Sequence, residues 1–164
     1  MRILTVFYSL EGNCLALAEV IRESVSSDIE ALRPEKEIPR QGFLRLLIGG
    51  KQALFGQSVP NQPLVASIAE YDLIFIGTPV WAWRMSPPVL RFLTETDWTG
   101  KKVALYAMHG GCPGKTLKAM QTVIESRGGR VISSADFRDL RRGEPEVTRQ
   151  KAATWAKETV ESAK

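Results

Sequence analysis

The sequence is poor in the residues from which many small functional sites are built. It has two cysteines, Cys14 and Cys112, and one histidine, His109. Two cysteines give no disulfide framework and fit a reducing cytoplasm. With one histidine and no ligand spacing they give no metal site either. No apolar run approaches the ~20 residues needed to span a bilayer. The chain passes from Met1-Arg2 straight into a strand pattern, so no signal peptide is expected. No G-x-G-x-x-G fingerprint is present, and Gly12 is not followed by the Gly-Lys-Ser/Thr of a Walker loop. A surplus of charge is also missing: 22 basic against 18 acidic residues leave +4. That is too little for a nucleic-acid signature, though it favours anionic partners.

What remains is an ordinary globular balance, 44% apolar and 24% charged over 164 residues. This suits one domain, residues 1–164, with a sizeable core. Residues 2–7 read as a short buried strand. Residues 13–26 read as a helix, because Cys14, Leu17, Ala18, Ile21 and Val25 recur at helical spacing. Asp28 to Leu32 reads as a second strand. The continuous apolar runs at 72–78 and 102–109 suit strands covered on both faces, as in a parallel sheet, and residues 130–137 give a fifth. Ser86-Pro87 opens a helix to about Thr94. Leu117, Met120, Gln121 and Ile124 mark another, stopped at Gly128-Gly129. Ala152, Trp155, Ala156, Val160 and Ala163 form the inward stripe of a last helix. The alternation predicts a doubly wound α/β fold with a five-stranded parallel sheet; in 2-1-3-4-5, one of the common orders of such sheets, strands 1, 3 and 4 are neighbours.

One stretch breaks the alternation. Residues 34–66 are too long for a simple connection and are rich in Gly, Pro and basic residues. Within them Phe43, Leu44, Leu47 and Ile48 are spaced for one or two helical turns ended by Gly49-Gly50. The insert reads as a surface excursion or as a flap beside the site.

Ligands of open α/β sheets bind outside the carboxyl ends of the strands. Three segments leaving neighbouring strands there have unusual composition. The first is Ser9-Leu10-Glu11-Gly12-Asn13-Cys14. Gly12 permits a backbone shape that a Cβ forbids, Asn13 offers a capping oxygen and Ser9 a hydroxyl. Amides at a helix N-terminus make an anion pocket, and phosphate is its natural occupant. The second is Thr78-Pro79-Val80-Trp81-Ala82-Trp83, whose indoles offer a stacking face. The third is Met108-His109-Gly110-Gly111-Cys112, whose glycines let the backbone approach a flat ligand; His109 reads as a wall residue more readily than as a proton donor. A ligand with one phosphate and a flat ring meets all three, and FMN is the candidate.

These residues resemble the flavodoxin family. Tyr8-Ser9-Leu10-Glu11-Gly12-Asn13-Cys14 is similar to its phosphate loop, and Tyr71 to Trp81 to its third strand and first flavin-flanking loop. The resemblance covers essentially the whole chain. It implies a non-covalently bound FMN, with Ser9 to Cys14 on the phosphate and Thr78 to Trp83 and Met108 to Cys112 on either side of the ring. Glu11 and Cys14 stand where the family has hydroxyl residues. The thiol is the weaker donor, so Cys14→Thr is expected to tighten binding, and Glu11 is expected to serve through its amide. Ala82 stands where carriers often have a glycine beside the flavin, and alanine makes a φ > 0 flip costlier. Well-known members are strongly acidic, whereas this chain is net basic, which argues against the usual basic redox partners.

The expected function is electron transfer to a partner protein or a small-molecule acceptor, with no nucleic acid, by a monomer or dimer in the cytoplasm. The alternative is an enzyme, an NAD(P)H-dependent FMN oxidoreductase acting on a quinone or another small substrate, or a flavodoxin-like protoporphyrinogen oxidase. There the insert would shape a second-substrate site, and Arg40, Arg45, Lys51 or Arg84 would meet an anion. A tyrosine-phosphatase loop is excluded, because neither cysteine has the arginine that would clamp phosphate.

Overall fold

The computed structural model describes residues 1–35, 60–141 and 143–164. The expected helical turns at 43–48, and Arg40, Arg45 and Lys51, lie outside the described residues. The elements run β1 (Ile3–Phe7), α1 (Asn13–Val25), β2 (Asp28–Ala31), a 3-10 turn (Ile68–Glu70), β3 (Leu73–Trp81), β4 (Arg84–Met85), α2 (Pro87–Glu95), β5 (Lys102–His109), α3 (Thr116–Glu125), β6 (Arg130–Arg138) and α4 (Pro145–Ser162).

Five parallel strands form the sheet β2-β1-β3-β5-β6, the order expected from the sequence. The difference lies in β4, two residues that fold back antiparallel on the end of β3, pairing Val80 with Met85 and Trp81 with Arg84. Residues 78–81 therefore belong to the strand, and only Ala82 and Trp83 form the turn.

Strand alternation divides the apolar side chains between two layers. Leu4, Val6, Ile74, Ile76, Val103 and Leu105 face α2 and α3, where Val89, Phe92, Leu93, Met120 and Ile124 cover them. Ile3, Phe7, Leu73, Phe75, Tyr106 and Met108 face α1 and α4, under Leu17, Ala18, Ile21, Ala152 and Ala156. Small residues on α1 and α4 let both helices lie close to the sheet. Trp98 is fully buried, donates from Nε1 to the Leu93 carbonyl at 3.0 Å and meets Phe92 edge-on.

The centre of the sheet depends on one missing side chain. Gly77 in β3 lies opposite both Phe7 and Tyr106. A Cβ there would fall 2.0 Å from the Tyr106 ring. The ring occupies that space, and its hydroxyl donates to the Cys14 carbonyl at 3.0 Å. Gly77→Ala is expected to destabilise the fold by about 3 kcal/mol or more, since overpacking a close-packed core forces backbone movement. Urea unfolding checks this; a loss below about 1 kcal/mol would mean the ring moves aside freely.

Candidate functional site

The carboxyl ends of β1, β3 and β5 are adjacent, so the three loops marked in the sequence meet at one end of the sheet. At the first, helix α1 begins at Asn13, and Gly12 is its N-cap with φ 91°. The expectation that Asn13 caps the helix is corrected: it is the first helical residue, and no side chain caps through a hydrogen bond. Ser9 Oγ accepts from the Leu15 amide at 3.2 Å, and Ala16 donates to the Gly12 carbonyl. Among the described residues the amides of Gly12, Asn13 and Cys14 have no hydrogen-bond partner. Three free N–H groups at a left-handed glycine and a helix start form a cradle for an anion.

Glu11 would spoil that cradle if its carboxylate faced it. Instead Arg141, in the loop after β6, lies 3.9 Å from a Glu11 carboxylate oxygen and donates to the Glu11 carbonyl at 3.4 Å. The Arg141 guanidinium thus offsets part of the Glu11 charge beside the loop.

Cys14 belongs elsewhere. Its side chain is buried among Phe7, Leu17 and Tyr106, and burial pushes its thiol well above the usual range. Only its backbone faces the loop, so the expected gain from Cys14→Thr is withdrawn: the hydroxyl would enter the core, not the cradle. Cys112 is exposed.

At the second loop Thr78 is fully buried and occupied. Its Oγ1 accepts from the Ser86 amide at 3.0 Å and pairs with the Ser86 hydroxyl, closing the base of the β3–β4 hairpin. Pro79 and Val80 are half-buried strand residues. Trp81 packs edge-on against Tyr8, with ring centroids 5.7 Å apart. Trp83 is 65% exposed. Trp83 is the more exposed of the two indoles the sequence offered as a wall, and Trp81 is half-buried.

The turn itself is strained. Ala82 (φ 48°) and Trp83 (φ 61°) are consecutive left-handed residues, the arrangement of a two-residue hairpin turn that normally selects Asn and Gly. Each costs about 1 kcal/mol outside glycine. The third loop backs the turn. Gly114 (φ +57°) lies so close that a Cβ would fall 2.7 Å from the Trp83 Cβ.

In that third loop Met108 and His109 end β5 as buried side chains, while Gly111 and Cys112 are exposed and Gly110 is half-buried. His109 Nε2 lies 2.9 Å from Asp136 Oδ2. With Nε2–H donating to the carboxylate, Nδ1 is a buried acceptor without a partner among the described residues. Such an orphan is uncommon in a folded core.

Four contributors escape a reading of three loops: Arg141, Asp136, Gly114 and Tyr106. Only Gly114 leaves a local signal, as part of the glycine-rich run after β5. A cleft of about 550 Å³ lies along β2, lined by Asp28, Glu30, Arg33, Gln62 and Tyr71 among others. None of its lining residues belongs to the three loops. Among the described residues no group of side chains could hold a metal ion, and no helix is long and apolar enough to cross a membrane.

The fold and the converging loops define a doubly wound protein with a ligand site at the strand ends. The flavodoxin family model matches residues 57–154, more than half of the sequence, so the chain belongs to the flavodoxin family. Solved structures share the fold. A flavoprotein from Lactobacillus acidophilus, determined in complex with FMN, superposes with a TM-score of 0.73 at 20% identity, covering 94% of this chain and 98% of that one. Oxidised flavodoxin 1 from Bacillus cereus gives 0.65 at 19% identity, covering 98% of both chains. Two-electron reduced Megasphaera elsdenii flavodoxin gives 0.62 at 23%, covering 99% of this chain and 98% of that one.

Two outcomes follow from the site geometry. Ala82→Gly relieves the strained turn and is expected to raise stability by up to about 1 kcal/mol, net of the extra freedom of the unfolded chain. A clear loss in urea unfolding would contradict the left-handed turn. Cys14 is expected to resist iodoacetamide in the native state while Cys112 reacts. Its raised pKa also makes the folded chain hold a proton that the unfolded chain releases, so this contribution is intact below about pH 8.5 and declines above it. Cys14→Ala removes that part of the alkaline decline, read as the difference between the two stability–pH curves.

Proposed function

We propose that this flavodoxin-family chain binds FMN non-covalently at the strand ends and works in the cytoplasm as an electron-transfer protein. The observation that carries the reading is the α1 cradle: three unpartnered amides, with the nearby Glu11 charge partly offset by Arg141. A phosphate suits that cradle, since a helix N-terminus and a glycine turn supply donors without desolvating any side-chain cation. Trp83 supplies the apolar face for the ring, and the backbone of Gly110 and Gly111 the opposite wall. FMN itself supplies the redox chemistry, taking up and releasing electrons one or two at a time. The protein binds the phosphate, orients the ring and limits the approach of water. The lack of a cationic side chain in the phosphate loop, Ser9 to Cys14, leaves affinity to backbone donors and stacking.

The deciding experiment is the visible spectrum of the purified protein, followed by titration of flavin-free protein with FMN. Flavin bands and saturable uptake support the reading; a colourless protein that ignores FMN overturns it. Trp83→Ala is expected to weaken FMN by about tenfold or more, the scale of losing one stacking partner in a buried contact. Trp81→Phe keeps the edge-on packing against Tyr8 and is expected to change affinity little. Bleaching of the flavin by NADPH under anaerobic conditions, with no partner protein, would move the assignment to an NAD(P)H-dependent oxidoreductase.

A further inference from the structure

We propose that Arg84, Lys115 and Lys118, set around Trp83, form a docking surface for the acidic face of a partner protein. The proposal deepens the electron-transfer reading by naming the partner's chemistry, and it rests on that reading only for its purpose. All three cations are exposed, and none has an ion pair or hydrogen bond among the described residues. They share one place: Arg84 follows Trp83 in β4, while Lys115 follows Gly114, whose backbone abuts Trp83. Lys118 is one helical turn beyond Lys115 in α3. No acidic residue occurs in positions 73–94 or 98–124, the stretches that build this rim. Across the site the Glu11 carboxylate is paired with Arg141, and Asp136 accepts a hydrogen bond from His109.

Two features disfavour a purely solvated rim. Lys115 is the N-cap of α3 and Lys118 lies in its first turn, with no side-chain cap. Cations there oppose the helix dipole, so the helix is weakened for no internal return. An anion arriving from outside meets both lysines and the dipole with the same favourable sign. Trp83 lies exposed between the hairpin and the α3 lysines. Tryptophan and arginine together are typical anchors of protein interfaces. The three cations are spread over a hairpin end and the first turn of a helix, a spacing that suits the face of a partner protein.

The test uses the purified chain as isolated and a fluorescein-labelled oligo-glutamate peptide as the probe, read by anisotropy at low salt. The triple variant Arg84→Glu, Lys115→Glu, Lys118→Glu is expected to weaken binding by about tenfold or more. A control with the same charge change elsewhere, Arg130→Glu, Lys151→Glu, Lys157→Glu, is expected to weaken it by less than about twofold. Equal losses in both variants overturn the proposal, because net charge alone would then explain the affinity. Displacement of the peptide by equimolar NADPH or inorganic phosphate also overturns it, in favour of a small-anion site. If the reversed triple does not fold by circular dichroism, the glutamine triple at the same positions replaces it under the same criteria. Flavin bands are recorded separately: rim-dependent peptide binding by a chain that takes up no FMN sinks only the electron-transfer reading.

Discussion

The geometry of the site depends on a tyrosine passing over a glycine. Tyr106 sits in β5, and its ring occupies the space that a side chain on Gly77 of β3 would fill. Its hydroxyl reaches the carbonyl of Cys14 in the first turn of α1. One side chain therefore ties the third strand of the site's trio to the helix that follows the first. The bond is fully buried, so breaking it strands a donor and an acceptor away from water, a cost of about 1–3 kcal/mol. It also fixes where the free amides of Gly12, Asn13 and Cys14 lie relative to β3 and β5. An anion cradle works through placement, because its donors carry only partial charge and lose strength steeply with distance and angle.

The same tie explains why Cys14 behaves as a core residue. The helical stripe of Cys14, Leu17, Ala18 and Ile21 must face the sheet for Tyr106 to reach the Cys14 carbonyl. A threonine-like role at the cradle would need the side chain turned toward the loop, away from that stripe. The loop from Ser9 to Cys14 accordingly offers its anion donors from the backbone. Glu11 fits the same logic: its side chain is used in a tether to Arg141, and the backbone of its loop is left to present donors.

Much of the fold was legible because it is written in local patterns. Continuous apolar runs marked β3 and β5, helical spacing marked α1, and alternation of the two implied a parallel sheet. The five-strand order is one of the common doubly wound arrangements, which the local pattern permits but does not dictate. The hairpin at 81–84 was not legible, since Ala82-Trp83 lacks the Asn-Gly signal such turns carry and Thr78 looked like a strand end. Cys14 satisfied two patterns at once, a helical stripe and a loop motif, and the stripe prevailed because burial of a thiol in an apolar layer is favourable. The Glu11–Arg141 tether joins residues 130 positions apart, a separation at which sequence pattern carries no information. His109 was seen as a wall residue, but its partner Asp136 sits on the neighbouring strand and becomes visible only with the β5–β6 register.

Several departures from local rules lie close together. Ala82 and Trp83 are left-handed without being glycine or asparagine. Lysines stand at the wrong end of α3, the amides at the start of α1 have no partner, and His109 keeps a buried acceptor unmatched. Elsewhere many groups are satisfied, Trp98 by a carbonyl and Thr78 by Ser86, but Ser26 is also left-handed, and Asn61, Arg91 and Thr159 also hold buried polar atoms without a partner among the described residues. The left-handed pair, the α1 amides and the α3 lysines all lie near the carboxyl ends of β1, β3 and β5. Sites that must receive a ligand or a partner are where a sequence gives up local consistency. The three that lie together at the strand ends agree with the site proposed there, and those elsewhere show that misfit alone does not locate a site.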